Sequence, residues 1–418
     1  MSTGTRRPAV RRDASSRTVS RAVFLDYLLS NRGYYALLPV LPLLLAQARH
    51  AAPWLVGTAL STLAFAARAA CVPLGGLLHH ADARLAMAAG LLTAAAGFCG
   101  LAVAVGPVAE LACLAAAGAG ISVNTLMARA YVTLALPASS SRNTAFSAIQ
   151  VGVNVAAAAG PVAASLLYGG GHQVRCLLAV AVLYALAAVA VAVVVPGGVR
   201  AADADPRRPS ARGALRALRT GTATRRLVLV TVAGWFLYGQ LFSALTLHIG
   251  ALTTSPLLRA SFFTANAVLV VAVQIPVTAL SAGALAGGTR PARFLPAGIA
   301  VFGAAFCCLA AAGGLVAGTF AGIAIFSVAE TLFTPFVATA FAGLPGGRPV
   351  LEGFALLQIA MAIGEPLGAF CGGALYTAAA RAGLGAAYWA GLGVLALLAA
   401  ALAAGTGRLR VSGRPAGR

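Results

Sequence analysis

Lysine is absent from this 418-residue sequence, whose 30 basic residues are all arginines. The absence excludes the lysine of a P-loop nucleotide site and the lysine that forms a Schiff base with pyridoxal phosphate or retinal. ATP-driven work by this chain alone is therefore excluded. The nine acidic residues are scattered, with no DDxxD run and no cluster that could hold a metal or a diphosphate. We therefore expect a protein that is not an enzyme.

Cysteine is also sparse. The seven cysteines fall within apolar stretches, at spacings that form neither a zinc site nor an extracellular disulfide framework. We interpret them as small buried hydrophobic residues and expect no metal and no cofactor. Apolar side chains, in contrast, are abundant: 60% of the residues are hydrophobic and only 9% are charged. This composition excludes a soluble protein.

Long apolar runs, divided by proline, glycine and charge clusters, fill the chain. Crossing about 30 Å of hydrocarbon takes about 20 residues of α-helix, and an isolated strand would leave its backbone polar groups without partners in lipid. The sequence therefore predicts an all-α membrane protein with twelve transmembrane helices, which we number as spans 1 to 12. Their predicted ranges are 22–46, 54–78, 85–105, 108–133, 144–168, 176–195, 227–248, 259–286, 294–313, 316–341, 351–377 and 387–405.

The arginines predict the orientation of these spans. Most of them lie in the tails 1–21 and 406–418, in the connection 196–226 and in the other connections on that side of the membrane. Basic residues accumulate on the cytoplasmic side, so we expect both termini in the cytoplasm. The same placement explains the net charge of +21 without a nucleic-acid partner. A composition rich in alanine, glycine and arginine suggests the inner membrane of a bacterium.

The polar connection 196–226 divides the spans into two sets of six. Several residues in the two sets recur at one constant separation, across both loops and helices. These pairs are Pro137 with Pro345, Phe146 with Phe354, Gln150 with Gln358, and Tyr168 with Tyr376. Such a repeat predicts two parallel, pseudo-symmetric six-helix bundles, 22–195 and 227–405.

Polar residues avoid every third span. Spans 3, 6, 9 and 12 contain no Asp, Glu, Arg, His, Asn or Gln, whereas the other eight contain nearly all of those that fall within the predicted spans. A charge that faces lipid costs at least about 3 kcal/mol at the bilayer centre. We therefore expect eight spans to surround a hydrated central cavity and four to face the lipid.

Several motifs resemble those of the major facilitator superfamily. Span 1 contains Pro39-Val40-Leu41-Pro42, similar to the Pro-x-x-Pro signature of its drug exporters, and span 5 contains Gly160-Pro161, similar to the core of the antiporter motif. The connection after span 2 matches the family's loop motif at Gly75, Leu77 and Arg84 but has His79 where that motif has Asp.

This resemblance implies the two-bundle fold of the superfamily and a secondary transporter that alternates access about a central site, usually driven by protons. It also implies that residues of these motifs contribute to gating. We assign that role to Gly75, Arg84, Gly160, Pro161 and, from its place in span 2, Arg68.

Three carboxyl groups within the spans are candidates for proton coupling: Asp26, Glu330 and Glu365. The two glutamates lie near the middle of their spans, and desolvation there favours a neutral carboxyl group that can bind and release a proton. Asp26 lies nearer the interface, where the alternative is a solvated carboxylate. For the glutamates, the alternative is that they neutralise Arg32 or Arg68 and never titrate.

Amide, aromatic and basic side chains are candidates for the substrate cavity. Gln150 and Asn154 share a face of span 5, and Asn124 of span 4 could join them. Interhelical hydrogen bonding explains the amides, packing the aromatics and structural pairing the arginine almost as well. The full set of candidates is Arg32, Tyr35, Asn124, Gln150, Asn154, Tyr238 and Gln358.

Together these features favour a secondary active transporter of small organic molecules. We expect proton-coupled efflux of a drug or secondary metabolite by a monomer, with the proton gradient as its energy source. One alternative is proton-coupled uptake of a metabolite. Another is a transporter-like membrane sensor or scaffold that moves nothing.

Overall fold

The structure, a computed structural model, describes residues 16–136, 140–169, 172–200, 202, 221–286, 289, 291–342 and 350–408. Helices form nearly all of these ranges, and no strand occurs within them. Most of the connection 196–226 and of the two predicted tails lies outside the described residues.

The first half of the described chain, up to residue 200, folds into helices that follow the predicted apolar runs. They are α1 (Ser16–Leu37), α2 (Pro53–Ala69), α3 (Cys71–His80), α4 (Ala83–Val103), α5 (Pro107–Ala135), α6 (Ser140–Gly169) and α7 (Gln173–Val194). A helical turn, Leu41–Leu43, and a π-helical stretch, Leu44–Ala48, follow α1.

The second half repeats this helical pattern from residue 221 onwards. Its helices are α8 (Thr222–Tyr238), α9 (Ala244–Leu252), α10 (Pro256–Ala286), α11 (Leu295–Ala311), α12 (Val316–Ala342), α13 (Val350–Cys371), α14 (Thr377–Arg381) and α15 (Gly385–Arg408). A 3-10 turn, Pro291–Arg293, precedes α11, and a π-helical stretch, Gly372–Tyr376, joins α13 to α14.

Helices able to cross a membrane are present in both halves. By length and composition, eight in the described chain are long and apolar enough, and these lie in α4, α5, α6, α7, α10, α12, α13–α14 and α15. The chain is therefore an all-helical, multi-pass membrane protein.

Four predicted spans are interrupted in the structure. Span 1 ends as a regular helix at Leu37, because Pro39 and Pro42 lack backbone N–H donors. Span 2 breaks after Ala69, the residue whose carbonyl would clash with the ring of Pro73. Span 7 divides into α8 and α9, and span 11 passes through the π-helical stretch.

Small residues bring neighbouring helices of the first half into close contact. A methyl group added to Gly97 of α4 would lie 2.6 Å from the backbone nitrogen of Ala117 on α5. Glycine and alanine at such contacts permit the close packing that holds membrane helices together. Each half also has its own cluster of buried apolar side chains, the second one rich in phenylalanine.

The two halves meet along one end of the molecule, the end that contains Gly57 of α2 and Gly373. A methyl group added to Gly373 would lie 2.6 Å from the Cα of Gly57. Nearby, the Thr264 hydroxyl of α10 donates to the Ala158 carbonyl of α6 across 3.1 Å. The backbones of the two halves thus approach each other closely across the interface. This end of the interface is closed, and we call it the glycine end.

Candidate functional site

An ion pair joins the two halves near the middle of the molecule. Arg68, in the last turn of α2, donates from Nε to Oε2 of Glu365 on α13 across 2.7 Å. Both side chains are largely buried, with exposed fractions of 26% for Arg68 and 12% for Glu365. The Arg68 guanidinium also lies 5.5 Å from the ring centroid of Trp235 on α8. A cation over an indole ring in a desolvated setting gains about 2 kcal/mol.

Aromatic side chains from α1, from α8 and from the turn that follows α8 lie beside this ion pair. Tyr34, Tyr238 and Phe242 line a cavity that also includes the Glu365 side chain. Tyr35 faces Phe242, with ring centroids 6.2 Å apart, so aromatic rings of the two halves meet directly. The cavity therefore has flat apolar walls, two tyrosines and the carboxylate of Glu365, whose partner Arg68 lies behind it.

Glu330 on α12 lies beside this aromatic group. Its Oε2 accepts a hydrogen bond of 3.4 Å from Nδ2 of Asn266 on α10, and the same nitrogen donates to the Ser327 hydroxyl across 2.9 Å. Glu330 also interacts electrostatically with Tyr35 and Tyr238. The structure therefore brings together Glu330, Glu365, Arg68, Tyr35 and Tyr238, all of which were predicted from the sequence.

Asp26 lies apart from that group, inside the first half. It is fully buried, and its two carboxylate oxygens lie 3.1 and 3.4 Å from Nδ2 of Asn124 on α5. Its partner, Asn124, lies on another helix. The expected grouping of Asn124 with Gln150 and Asn154 stays a prediction, because the Gln150 side chain lies outside the described residues. Asp26 was expected near the membrane interface, but it is buried. The reason is that α1 begins at Ser16, well before the predicted start of span 1 at residue 22.

The other predicted cavity residues are more dispersed. Arg32 on α1 is exposed and takes no part in the Arg68–Glu365 ion pair. Asn154 on α6 and Gln358 on α13 are half-buried. Gln150 belongs to α6, but its side chain lies outside the described residues.

The motif residues have local structural roles. Gly160 allows α6 to approach α1, because a methyl group there would lie 2.9 Å from the Ala36 backbone nitrogen. Pro161 is buried within α6. Gly75 lies in α3, and its surroundings are outside the described residues. Arg84, on α4, packs its guanidinium against Gly197.

Asp82 anchors the connection between α3 and α4. Its Oδ1 accepts from the Leu85 backbone nitrogen as the N-cap of α4, and its Oδ2 accepts from the Gly198 backbone nitrogen. The Ala83 nitrogen also donates to the Val199 carbonyl. The Asp82 carboxylate therefore links this connection to the segment that follows α7. His79, which stands where the loop motif of the superfamily has Asp, is buried.

A polar network in the second half was not among the predicted sites. His248 on α9 lies 3.1 Å from the Tyr376 hydroxyl and 3.3 Å from the Thr319 hydroxyl. Gln240 accepts from the Tyr388 hydroxyl across 2.7 Å and donates to the Gly368 carbonyl across 3.0 Å. The only sequence signal was the polarity of Gln240 and His248 within an apolar span.

Two helical halves thus meet at an ion pair and at aromatic side chains. The sequence pattern of the Major Facilitator Superfamily matches residues 23–288, and the chain belongs to this superfamily. None of the curated proteins matches the sequence.

Solved structures of similar fold include several transporters of the POT family. One, in complex with a thioalcohol-conjugated peptide, has a TM-score of 0.78 at 12% identity, over 94% of this chain and 96% of that one. Another, in complex with 5-aminolevulinic acid, has a TM-score of 0.75 at 13% identity, over 92% and 94%. A peptide transporter in complex with sulfate has a TM-score of 0.74 at 15% identity, over 94% of both chains. At these identities the likeness establishes the fold, and it singles out no drug-efflux branch.

Proposed function

We propose that the chain is a proton-coupled secondary transporter that moves a small organic molecule by alternating access. The observation that carries this proposal is the Arg68–Glu365 ion pair, which joins the halves beside a cavity with aromatic walls. A ligand that binds either charge competes with the ion pair and so weakens a contact that holds the halves together. Ligand binding and the movement of the halves are coupled through the same two side chains.

Membrane orientation follows from the arginine distribution. We propose twelve spans in the inner membrane of a bacterium, with both termini cytoplasmic. The glycine end, which is closed, then faces outwards. The chain acts as a monomer and uses the proton gradient, with no cofactor.

Export of a drug or secondary metabolite is the direction that the motifs favour. Pro39-Val40-Leu41-Pro42 and Gly160-Pro161 are similar to signatures of exporters and antiporters of the superfamily. The walls formed by Tyr34, Tyr238 and Phe242 suit a flat organic substrate.

Uptake is the second candidate function, and the ion pair itself favours it. Arg68 and Glu365 present opposite charges 2.7 Å apart, which matches a zwitterion with an ammonium and a carboxylate group. Neighbours of similar fold were crystallised with a peptide conjugate and with 5-aminolevulinic acid.

Reconstitution into proteoliposomes tests the proposed function and its direction. Dialanine, 5-aminolevulinic acid and ethidium serve as probes, with a proton gradient imposed in either orientation. An exporter of the antiport type accumulates a probe when the interior is acidified, whereas a proton-coupled importer does so when the exterior is acidified. Counterflow without a gradient checks for exchange. If no probe moves under any of these conditions while the protein remains folded, the chain is a sensor or scaffold.

A further inference from the structure

Two carboxyl groups, the buried Asp26 and the half-buried Glu330, share an arrangement that Glu365 lacks. Asp26 in the first half and Glu330 in the second half each accept from the side-chain amide of an asparagine on another helix, Asn124 and Asn266 respectively. Among the described residues, neither carboxyl group forms an ion pair with an arginine, whereas Glu365 pairs directly with Arg68.

We propose that Asn124 and Asn266 are the positioning residues of two separate proton-binding sites, Asp26 and Glu330, one in each half. Glu365, which pairs directly with Arg68, is not one of these sites. This assignment rests on the proposed proton coupling and divides it between the halves. It predicts two protons bound per transporter.

An asparagine suits a carboxyl group that changes its protonation state. Its amide N–H donates to an ionised carboxylate, and after rotation of the amide its carbonyl accepts from a protonated carboxyl group. The Oδ1 atom of Asn124 is buried and has no hydrogen-bond partner in the described chain. Rotation of this amide therefore breaks no bond other than the one to Asp26. Asn124 can hold Asp26 in either state.

Other titratable groups around Asp26 do not replace this role. Tyr184 on α7 and the adjacent Tyr27 interact with it electrostatically, and Arg129 of α5 interacts with Tyr27. Tyrosine hydroxyls ionise well above neutral pH, so neither competes for a proton in the physiological range. The amide of Asn124 contacts both carboxylate oxygens, and the Ser30 hydroxyl of α1 also acts on this carboxyl group.

Around Glu330 the asparagine is itself held in place. Nδ2 of Asn266 donates to the Ser327 hydroxyl, which donates in turn to the Ile323 carbonyl. The titratable neighbours are Tyr35 of α1 and Tyr238 of α8, and both of these tyrosines also interact with the Arg68–Glu365 ion pair. The opposite charges of Arg68 and Glu365 largely cancel. Of the two glutamates near these tyrosines, Glu330 is therefore the one that we assign to proton binding.

Each half thus contains one carboxyl group that is paired with an asparagine and not with an arginine, among the residues that the structure describes. An ionised carboxylate without a cation is costly to bury, and protonation removes that cost. The carboxyl–asparagine pairs involve α5 in the first half and α12 in the second, the helices predicted as spans 4 and 10 of the repeat. Protonation of Glu365, in contrast, would break its buried ion pair with Arg68.

Infrared titration of the full-length protein in lipid nanodiscs tests this assignment without a substrate. The C=O stretch of a protonated carboxyl group is separate from that of a carboxylate, so each proton-binding site adds a band that disappears as its proton is lost. We expect Asp26→Asn and Glu330→Gln each to remove one titrating band, and Glu365→Gln to remove none. Loss of a band in Glu365→Gln, or retention of both in Asp26→Asn or Glu330→Gln, overturns the proposal.

The asparagines are tested by their effect on the titration midpoints. Asn124→Leu removes a donor to the ionised Asp26, so the midpoint of that band moves upwards by about one pH unit, and Asn266→Leu does the same for Glu330. Asn124→Gln and Asn266→Gln restore an amide and return the midpoints towards the wild-type values. A purely structural role would lower thermal stability and leave the midpoints unchanged, which contradicts the proposal. Because no substrate is needed, failure to transport any probe leaves this result interpretable.

Discussion

At the residue scale, the contact between Arg68 and Glu365 has the clearest functional consequence. Removing one partner of a buried ion pair leaves an uncompensated charge and costs about 3–5 kcal/mol. Here the cost applies only to the conformation in which Arg68 and Glu365 are in contact, because the pair joins the two halves. The charges therefore have to be replaced by those of a ligand when the halves separate.

We expect Glu365→Gln and Arg68→Ala to reduce exchange of the transported probe by at least tenfold, a change of about 1.4 kcal/mol. Counterflow in proteoliposomes measures this effect. The charge-exchanged double variant Arg68→Glu with Glu365→Arg is the matched control, and it recovers part of the activity if the mutual contact matters. Wild-type exchange by Glu365→Gln would remove the ion pair from the transport cycle.

Trp235 contributes through its ring rather than through a charge. Its indole lies over the Arg68 guanidinium, so Trp235→Leu removes the cation–π contact, whereas Trp235→Phe retains a weaker one. We expect Trp235→Leu to bind the probe threefold to tenfold more weakly, which corresponds to a loss of about 1 kcal/mol of binding free energy. The loss in Trp235→Phe should be smaller. Equilibrium binding of the probe to the purified variants decides this, and equal affinities for both variants would contradict the role of the ring.

The sequence predicts which residues are polar inside the membrane but not which of them meet. Glu330, Glu365 and Arg68 stand out because charges in apolar spans are costly. The partners depend on the rotation of each helix about its axis and on contacts between distant segments, such as Arg68 with Glu365 or Asp26 with Asn124. Helical spacing alone, for example, could not show that Asn124 of α5 would meet Asp26 of α1.

At the element scale, the closed glycine end depends on the absence of side chains. A methyl group on Gly57 would lie 2.5 Å from the Phe370 carbonyl oxygen and 2.8 Å from the Ala374 Cβ. Overpacking of this kind costs about 1–3 kcal/mol, and it acts only when the halves are together at this end. A larger residue therefore favours conformations in which the glycine end is open.

We expect Gly57→Val to leave the fold intact but to shift the conformational equilibrium by tenfold or more towards the open glycine end. Labelling of a cysteine introduced at Leu43, in a background without native cysteines, reports the accessibility of that end. Gly391→Val is the matched control, because no atom lies within 4 Å of a methyl group added there. Equal labelling of the two variants would show that the glycine contact does not control closure.

Asp82 joins two elements at the opposite end of the first half. It caps α4 and accepts from the Gly198 nitrogen, so Asp82→Ala loses two bonds and about 1–2 kcal/mol of stability. We expect the melting temperature in detergent to fall by about 2–4 °C. Asp82→Asn, which keeps one acceptor oxygen, should lie between the wild type and Asp82→Ala, and an unchanged melting temperature in Asp82→Ala would argue against the contact.

Helix interruptions were partly visible in the sequence. Pro39, Pro42 and Pro73 each remove a backbone donor, which explains where α1 ends and why α2 and α3 are separate. The π-helical stretches Leu44–Ala48 and Gly372–Tyr376 were not predicted. Apolar runs have the same composition in either kind of helix, so hydropathy could not distinguish them.

At the scale of the whole molecule, alternating access requires the halves to separate where they now touch. Thr264 of α10 donates to the Ala158 carbonyl of α6, a contact between halves at the closed end. Composition and periodicity predicted two bundles, but the closed end is a property of the interface between them. Only the three-dimensional structure shows which helices face each other there.

A reversible cross-link between α6 and α10 tests whether this interface must open. We expect Ala158→Cys and Thr264→Cys, combined in a background without native cysteines, to form a disulfide on oxidation, because the helices are in direct contact there. Oxidation should then abolish counterflow of the probe, and reduction should restore it. Each single cysteine variant, oxidised in parallel, controls for damage by the oxidant. Full activity of the cross-linked protein would mean that the substrate passes without separation of the halves, and the alternating-access proposal would fail with it.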